Sequence, residues 1–167
     1  MNKKFSVLIK NKIKKFNKNI LVESDKSISH RSLIIASQCI GISTLKGILE
    51  SEDVQNTITC LKKLGVKISK KNKNYVVYGN GLGSFMQPKK NSLYAGNSGT
   101  LARLLIGLIT TQSNLRIKIL GDRSLCKRDM KRIIEPLSKI GCTFFPKNKT
   151  YIFQTFGIHI SLFFILS

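Results

Sequence analysis

Residues 25–31 combine several side chains that suit the binding of an anion. They read Asp-Lys-Ser-Ile-Ser-His-Arg, and an apolar run follows directly. This pattern predicts a turn that leads into a helix, with Ser27 or Ser29 accepting hydrogen bonds from the first free backbone N–H groups. Lys26 and Arg31 would add positive charge to a helix end that already favours anions. The expected ligand is a phosphate or a carboxylate, and the alternative is a capped surface helix with incidental cations.

A second stretch has a similar design. A short apolar segment at 93–95 leads into the glycine-rich turn 96–100, which reads Gly-Asn-Ser-Gly-Thr. Glycine allows the backbone to approach a ligand closely, so this turn is also suited to an anionic group. The following run at 101–109 is apolar almost all round, which predicts a helix that is buried on most sides.

Alternating strands and helices are predicted to position these two turns. The first turn is expected to open a helix that extends to about Cys39, and Ser51 is expected to cap a second helix. Gly79–Gly83 is interpreted as a flexible break. A last helix from about Lys127 would place Met130, Ile133, Ile134, Leu137 and Ile140 on its inner face. The predicted strands cover residues 5–9, 20–22, 43–49, 66–68, 75–78, 93–95, 115–119, 142–145 and 151–153.

The chain contains an internal repeat. The segment 61–75 aligns with 137–151 at an offset of 76 residues, and Arg31 pairs with Arg103 at an offset of 72. A repeat of this size indicates similar α/β subdomains that cannot bury their apolar faces alone. The anion-type turns would then lie at matching places in the two units.

The composition predicts a globular protein with a strongly basic surface. The chain has 167 residues, a formal net charge of +21 and 42% hydrophobic residues. This charge suggests nucleic acid as a partner. However, lysine outnumbers arginine 23 to 6, and asparagine and isoleucine are also abundant, which is typical of drift in an A/T-rich genome. No basic stripe is interleaved with aromatic residues, so specific nucleic-acid binding is disfavoured.

The cysteines and histidines do not predict a metal site or a disulfide framework. Cys39, Cys60, Cys126 and Cys142 are widely separated, and His30 and His159 have no ligand spacing. Reduced thiols in a cytoplasmic protein are therefore expected. No apolar run is long enough for a signal peptide or a membrane span, so we expect no membrane partner.

Four motifs together resemble those of the 5-enolpyruvylshikimate-3-phosphate synthase (3-phosphoshikimate 1-carboxyvinyltransferase) family. The resemblance extends to about Tyr151 and implies a fold of two domains, each with three βαβαββ-like units. This chain would be the N-terminal portion, an α/β protein with two of the three units of one domain. The motifs are 25–31, Ser51-Glu52-Asp53, 96–100 with Arg103, and 121–125 with Arg128.

From the resemblance and the repeat we predict four segments. Residues 1–22 would form an N-terminal strand and hinge segment, 23–83 the first repeat unit and 84–156 the second. Residues 157–167 would be an aberrant apolar tail, which reads like out-of-frame translation or a truncated end.

The family transfers the enolpyruvyl group of phosphoenolpyruvate to the 5-hydroxyl of shikimate 3-phosphate and releases phosphate. The resemblance implies this activity in chorismate biosynthesis, with no cofactor and no metal. It assigns Lys26, Ser27 and Arg31 to shikimate 3-phosphate, with Lys26 also near phosphoenolpyruvate and acting electrostatically. It assigns Asn97, Gly99 and Arg128 to phosphoenolpyruvate. The acidic general base would lie in the absent C-terminal part of the enzyme, which is the expected protein partner.

Several alternatives are weaker or remain open. The related UDP-N-acetylglucosamine enolpyruvyl transferase would have Lys-Asn instead of Lys26-Ser27, and its catalytic cysteine would fall where this chain has Arg123. Cys126 is therefore interpreted as an ordinary thiol. Arg103 is expected to serve helix packing or an ion pair with Asp53 or Glu52.

Departures from the family pattern favour a second hypothesis, an inactive remnant of the enzyme. Glu23-Ser24 replaces Pro-Gly, and Asp129 stands where proline usually follows the arginine. Both acids would add negative charge beside an anion site unless they point to solvent. A basic protein that binds RNA is the least favoured reading.

Overall fold

The computed structural model describes residues 23–112, 115–144 and, for the backbone, 151–156. The strands predicted at 5–9 and 20–22 and the apolar tail at 157–167 lie outside the described residues. Among the residues that are described, no helix is long and apolar enough to cross a membrane.

The first unit packs two helices against a three-stranded antiparallel sheet. Its strands are β1 (Ile40–Leu45), β2 (Lys67–Lys71) and β3 (Asn74–Asn80), in the order β1-β3-β2, with Ile42 opposite Tyr78 and Ile68 opposite Val77. The strands predicted at 66–68 and 75–78 are confirmed as β2 and β3, which pair antiparallel as a hairpin. The helices are α1 (Lys26–Gln38) and α2 (Glu52–Lys63).

The second unit has the same plan with one additional strand. Its strands are β4 (Ser92–Tyr94), β5 (Arg116–Leu120), β6 (Thr143–Phe144) and β7 (Tyr151–Phe156). Their order in the sheet is β4-β5-β7-β6, in which β4 runs parallel to β5 and the other neighbours are antiparallel. The helical elements are α3 (Gly99–Thr110), a 3₁₀ turn (Leu125–Lys127) and α4 (Lys131–Lys139).

The topology of the two units repeats. Each runs helix, strand, helix, hairpin, and the order β1-β3-β2 of the first sheet corresponds to β5-β7-β6 of the second. This confirms the predicted α/β class with similar subdomains. The exact boundaries of the four segments stay predictions.

One hydrophobic core joins both units. Leu33 of α1, Leu61 of α2 and Leu105 of α3 are fully buried and belong to the same cluster. Every residue of α3 is buried or half-buried. The prediction of a helix that is buried on most sides is therefore confirmed. Burial of a leucine side chain contributes about 1.5–3 kcal/mol, and the shared core therefore fixes the helix starts of the two units relative to each other.

The predicted flexible break at Gly79–Gly83 is wrong for its first two residues, which belong to β3. Gly79 and Asn80 belong to β3 and pair with Gly41 and Ile40 of β1, which itself begins three residues earlier than expected. A Cβ atom at Gly79 would collide with the carbonyl oxygens of Cys39 and Ala36. The glycine thus allows the end of α1 to approach β3 closely. The sequence pattern alone predicts a loop at this end of β3.

The start of α4 is the second correction. The helix begins at Lys131 instead of Lys127, because Asp122 Oδ1 accepts from Leu125 N at 2.7 Å and opens a separate 3₁₀ turn. Arg128 then adopts an extended backbone. Ile140, which was expected on the inner face, is 57% exposed.

Candidate functional site

A polar pocket of about 210 Å³ lies where the N-terminal ends of α1, α2 and α3 meet. Lys26 is the first residue of α1, Asp53 the second of α2 and Gly99 the first of α3. Three helix ends with free backbone donors give this place a positive potential. The lining residues are Lys26, Asp53, Asn97, Ser98, Gly99, Thr100 and Arg128.

The three helix ends are capped in different ways. In α1 the cap is Asp25, whose Oδ1 accepts from Ile28 N at 2.7 Å, so the predicted capping by Ser27 or Ser29 is wrong. Ser29 Oγ instead donates to Asp25 O at 2.8 Å and accepts from Leu49 N at 3.0 Å. The helix starts directly after Asp25, and this places the aspartate, rather than either serine, within reach of the free N–H groups.

The other two caps also differ from each other. Ser98 Oγ accepts from Leu101 N at 3.2 Å at the start of α3. Ser51 occupies the cap position of α2, as predicted, but its Oγ is buried and makes no hydrogen bond. The first turn of α2 carries Glu52 and Asp53.

The ammonium group of Lys26 forms an ion pair with Asp53 across the pocket. Nζ lies 2.9 Å from Oδ2, and the Asp53 side chain is 22% exposed. Asp53 therefore pairs with Lys26 and not with Arg103. The guanidinium of Arg103 instead donates to the carbonyl oxygens of Gly99 and Asp129, both at 3.3 Å. Of the two alternatives expected for Arg103, these contacts fit helix packing, and among the described residues Arg103 forms no ion pair with Asp53 or Glu52.

Arg128 approaches the glycine-rich turn from the other side. Its Nη2 donates to Asn97 Oδ1 at 2.6 Å. A Cβ atom at Gly99 would lie 2.9 Å from Arg128 Nη1 and 3.1 Å from Arg103 Nη1. The absence of a side chain at Gly99 therefore allows two guanidinium groups to sit against the start of α3.

Two of the residues predicted to bind substrate do not line the pocket. Arg31 is exposed, and its Nη1 donates to Ser27 O, one turn earlier on α1, at 3.1 Å. The structure thus brings together four predicted residues, Lys26, Asn97, Gly99 and Arg128, and leaves Ser27 and Arg31 on the adjacent surface of α1.

Sequence reasoning assigned no binding role to Asp53, Ser98 and Thr100, which also line the pocket. The signal was present, since Asp53 belongs to the Ser-Glu-Asp motif and the other two belong to the glycine-rich turn. Without coordinates, nothing indicated that a carboxylate on α2 would face a cation on α1.

The acids that depart from the family pattern do not line the pocket. Asp129 Oδ1 accepts from Lys131 N at 2.8 Å, so this carboxylate is engaged at the start of α4. Glu23 is exposed. Cys126 is half-buried and its thiol donates to Gly121 O at 3.6 Å, as an ordinary thiol would. Within the described ranges, no cluster of three or more histidine, cysteine or acidic side chains could hold a metal.

A profile of the EPSP synthase (3-phosphoshikimate 1-carboxyvinyltransferase) family matches residues 10–155, which is most of the chain. The chain belongs to the EPSP synthase family. It is 44% identical over 128 residues to the 3-phosphoshikimate 1-carboxyvinyltransferase of Oenococcus oeni, covering 77% of this chain and 29% of that enzyme. The enzyme of Alkaliphilus oremlandii is 46% identical over 131 residues, with 78% and 30% coverage.

The fold agrees with that of a solved family member. EPSP synthase from Acinetobacter baumannii superimposes with a TM-score of 0.75 at 35% identity. The match covers 83% of this chain and 31% of that structure. The chain therefore spans about a third of the length of the EPSP synthases that it matches.

Proposed function

We propose that the pocket is the part of an EPSP synthase active site that this segment contributes. In this role it binds phosphoenolpyruvate and shikimate 3-phosphate during transfer of the enolpyruvyl group to the 5-hydroxyl, with release of phosphate. The observation that carries the proposal is the convergence of Lys26, Asn97, Gly99 and Arg128 on one polar pocket at three helix N-termini.

Both substrates are anionic, so the site requires fixed cations. Arg128 offers a planar guanidinium that suits a carboxylate or phosphate oxygen, and Asn97 holds it in place before any ligand arrives. Lys26 supplies a compact positive charge that Asp53 holds in the pocket. Cations that are already positioned stabilise charge in the transition state without reorganising.

Ser27 and Arg31 are assigned to shikimate 3-phosphate on the adjacent surface of α1. Arg31 is exposed and bonded only locally, to Ser27 O, so its guanidinium can turn toward a phosphate with little rearrangement. In this arrangement the two substrates lie side by side, and Lys26 lies between them.

Turnover requires the remainder of the enzyme as a partner, in a cytoplasmic setting. None of the pocket residues is a free carboxylate, since Asp53 is engaged by Lys26. The general base is therefore assigned to the part of the enzyme outside this chain. We expect the chain alone not to release phosphate from phosphoenolpyruvate.

The proposal is tested by complementation. The chain is combined with the part of the Alkaliphilus oremlandii enzyme that it does not match, and phosphate release that depends on shikimate 3-phosphate is measured. We expect activity with the pair, and its loss in Lys26→Ala. The matched control is Lys62→Ala, which removes an equal charge from the exposed end of α2.

The outcomes separate the two hypotheses. Activity that survives Lys26→Ala contradicts the assignment of the pocket. Binding of phosphoenolpyruvate by the chain, without turnover in any combination, identifies an inactive remnant that keeps part of the site.

A further inference from the structure

Two polar contacts connect α1 to α2 on successive turns. The surface contact is Lys26–Asp53, and the buried contact is His30–Thr57. In each pair the partners are 27 positions apart, and along each helix the two contacts are four residues apart. The two helices therefore run side by side in the same direction, with one contact directly below the other.

The buried contact is connected to the surface contact through the backbone carbonyl of Asp53. His30 and Thr57 are both 0% exposed, and His30 Nδ1 lies 2.6 Å from Thr57 Oγ1. Thr57 Oγ1 also lies 3.2 Å from Asp53 O, to which it can donate, and the tautomer of His30 with a proton on Nδ1 satisfies both hydrogen bonds. The imidazole is thus connected to the residue whose carboxylate holds Lys26.

The corresponding positions of the second unit do not carry a polar pair. At offsets of 72 and 76 residues, His30 and Thr57 correspond to Ala102 of α3 and Ile133 of α4. The second unit therefore has apolar residues at both positions. Burying a hydroxyl and an imidazole carries a desolvation penalty that an apolar pair avoids. The Nε2 atom of His30 is also buried without a partner.

We infer that His30 is a positioning residue. Through Thr57 it fixes the first turn of α2, and the fixed Asp53 in turn holds the Lys26 ammonium in the pocket. The inference rests on the proposed function insofar as Lys26 binds an anion. The coupling between the two contacts is a property of the free protein and can be measured without a ligand.

The first test is a double-mutant cycle on the full chain without ligand. Lys26→Met removes the surface contact and Thr57→Val the buried one, and the unfolding equilibrium constant is measured in urea. We expect the change in the unfolding equilibrium constant of the double variant to differ by about threefold or more from the product of the changes in the two single variants. The control is Thr59→Val, because Thr59 is exposed on α2 and its hydroxyl bonds only to Gln55 O. The changes that Thr59→Val and Lys26→Met cause in the unfolding equilibrium constant should simply multiply in the double variant.

The second test measures the affinity of the pocket for inorganic sulfate, which remains a dianion between pH 5 and 8. In His30→Asn the amide nitrogen can occupy the place of Nδ1, whereas His30→Leu only fills the space. We expect the Asn variant to retain the wild-type affinity within about twofold and the Leu variant to lose about tenfold. A purely structural role predicts equal sulfate affinities for the two variants, because His30 would then have no effect on Asp53 and Lys26.

The results of the two tests distinguish a failure of the positioning role from a failure of the proposed anion site. Multiplicative effects in the cycle overturn the positioning role, and so do equal sulfate affinities of the Asn and Leu variants when the wild type binds sulfate. Coupling in the cycle without sulfate binding by the wild type supports the positioning role and overturns the proposed anion site.

Discussion

At the residue scale, the pocket depends on the absence of a side chain at Gly99. Two guanidinium groups occupy the space that a Cβ atom would need. These groups are the ends of long flexible side chains, so they can move away without unfolding the helix. The effect of a substitution should therefore fall on binding more than on stability.

Gly99→Ala is predicted to weaken binding of phosphoenolpyruvate by about tenfold while changing the free energy of unfolding by less than about 1 kcal/mol, because alanine is the better helix former. The control is Gly107→Ala, on the same helix, where a Cβ atom meets nothing within 4 Å. This variant should bind normally and gain up to about 1 kcal/mol of stability. Titration of both variants by calorimetry tests the prediction, and equal affinities would contradict it.

His30 is predicted to make stability depend on pH. Burial lowers the pKa of His30 below its ordinary value of 6.5, and the nearby Lys26 and Arg31 add to this effect, while Asp53 opposes it. Below about pH 6.5 the unfolded chain therefore binds more protons at this residue than the folded chain. Stability from this group is complete above that pH and is lost as the pH falls.

Urea unfolding at pH 7.5 and 5.5 measures this loss. The wild-type midpoint should be lower at pH 5.5, and His30→Asn should reduce the difference. An unchanged wild-type midpoint would show that His30 is not buried as a neutral imidazole.

At the element scale, the starts of α1 and α2 look equivalent in sequence but differ in structure. Asp25 and Ser51 are both good capping residues, yet only Asp25 makes the hydrogen bond. Asp25→Ala is therefore predicted to lower the free energy of unfolding by about 1 kcal/mol. Ser51→Ala should have almost no effect, because it removes a buried hydroxyl without a partner. Denaturant unfolding of the two variants side by side checks this, and similar losses would refute it.

At the scale of the whole molecule, the described part of the chain exposes several large apolar side chains. Ile28 and Ile35 are seven residues apart on α1, so they share one side of the helix, and Ile40 and Ile42 share one face of β1. Ile40 is 92% exposed. Such a surface is typical of a segment that packs against further polypeptide.

The chain alone is therefore predicted to self-associate. Sedimentation velocity at increasing concentration should show species larger than the monomer, and the double variant Ile28→Lys, Ile35→Lys should reduce them. Lys62→Glu, on the exposed end of α2, is a control with changed charge and unchanged apolar surface. A wild-type chain that remains monomeric at all concentrations would refute the prediction.

Much of the site could be predicted because its information is local. The segment 25–31 and the glycine-rich turn predicted two helix starts that suit anions, and the repeat predicted two similar α/β units. Lys26, Asn97 and Gly99 belong to these starts, but the binding roles expected for them and for Arg128 came from the resemblance of the motifs to those of the family. Helix periodicity and turn residues are properties of short segments, and the sequence therefore determines them directly.

Only the tertiary structure decided which groups meet. The pairing of Lys26 with Asp53 and of His30 with Thr57 depends on how α1 and α2 pack, which no short segment specifies. The capping by Asp25 depends on the residue at which the helix begins, and the late start of α4 follows from the hydrogen bond between Asp122 and Leu125. Distances of about 3 Å between side chains far apart in sequence arise from packing of the shared core, and for that reason composition and spacing could not reveal them.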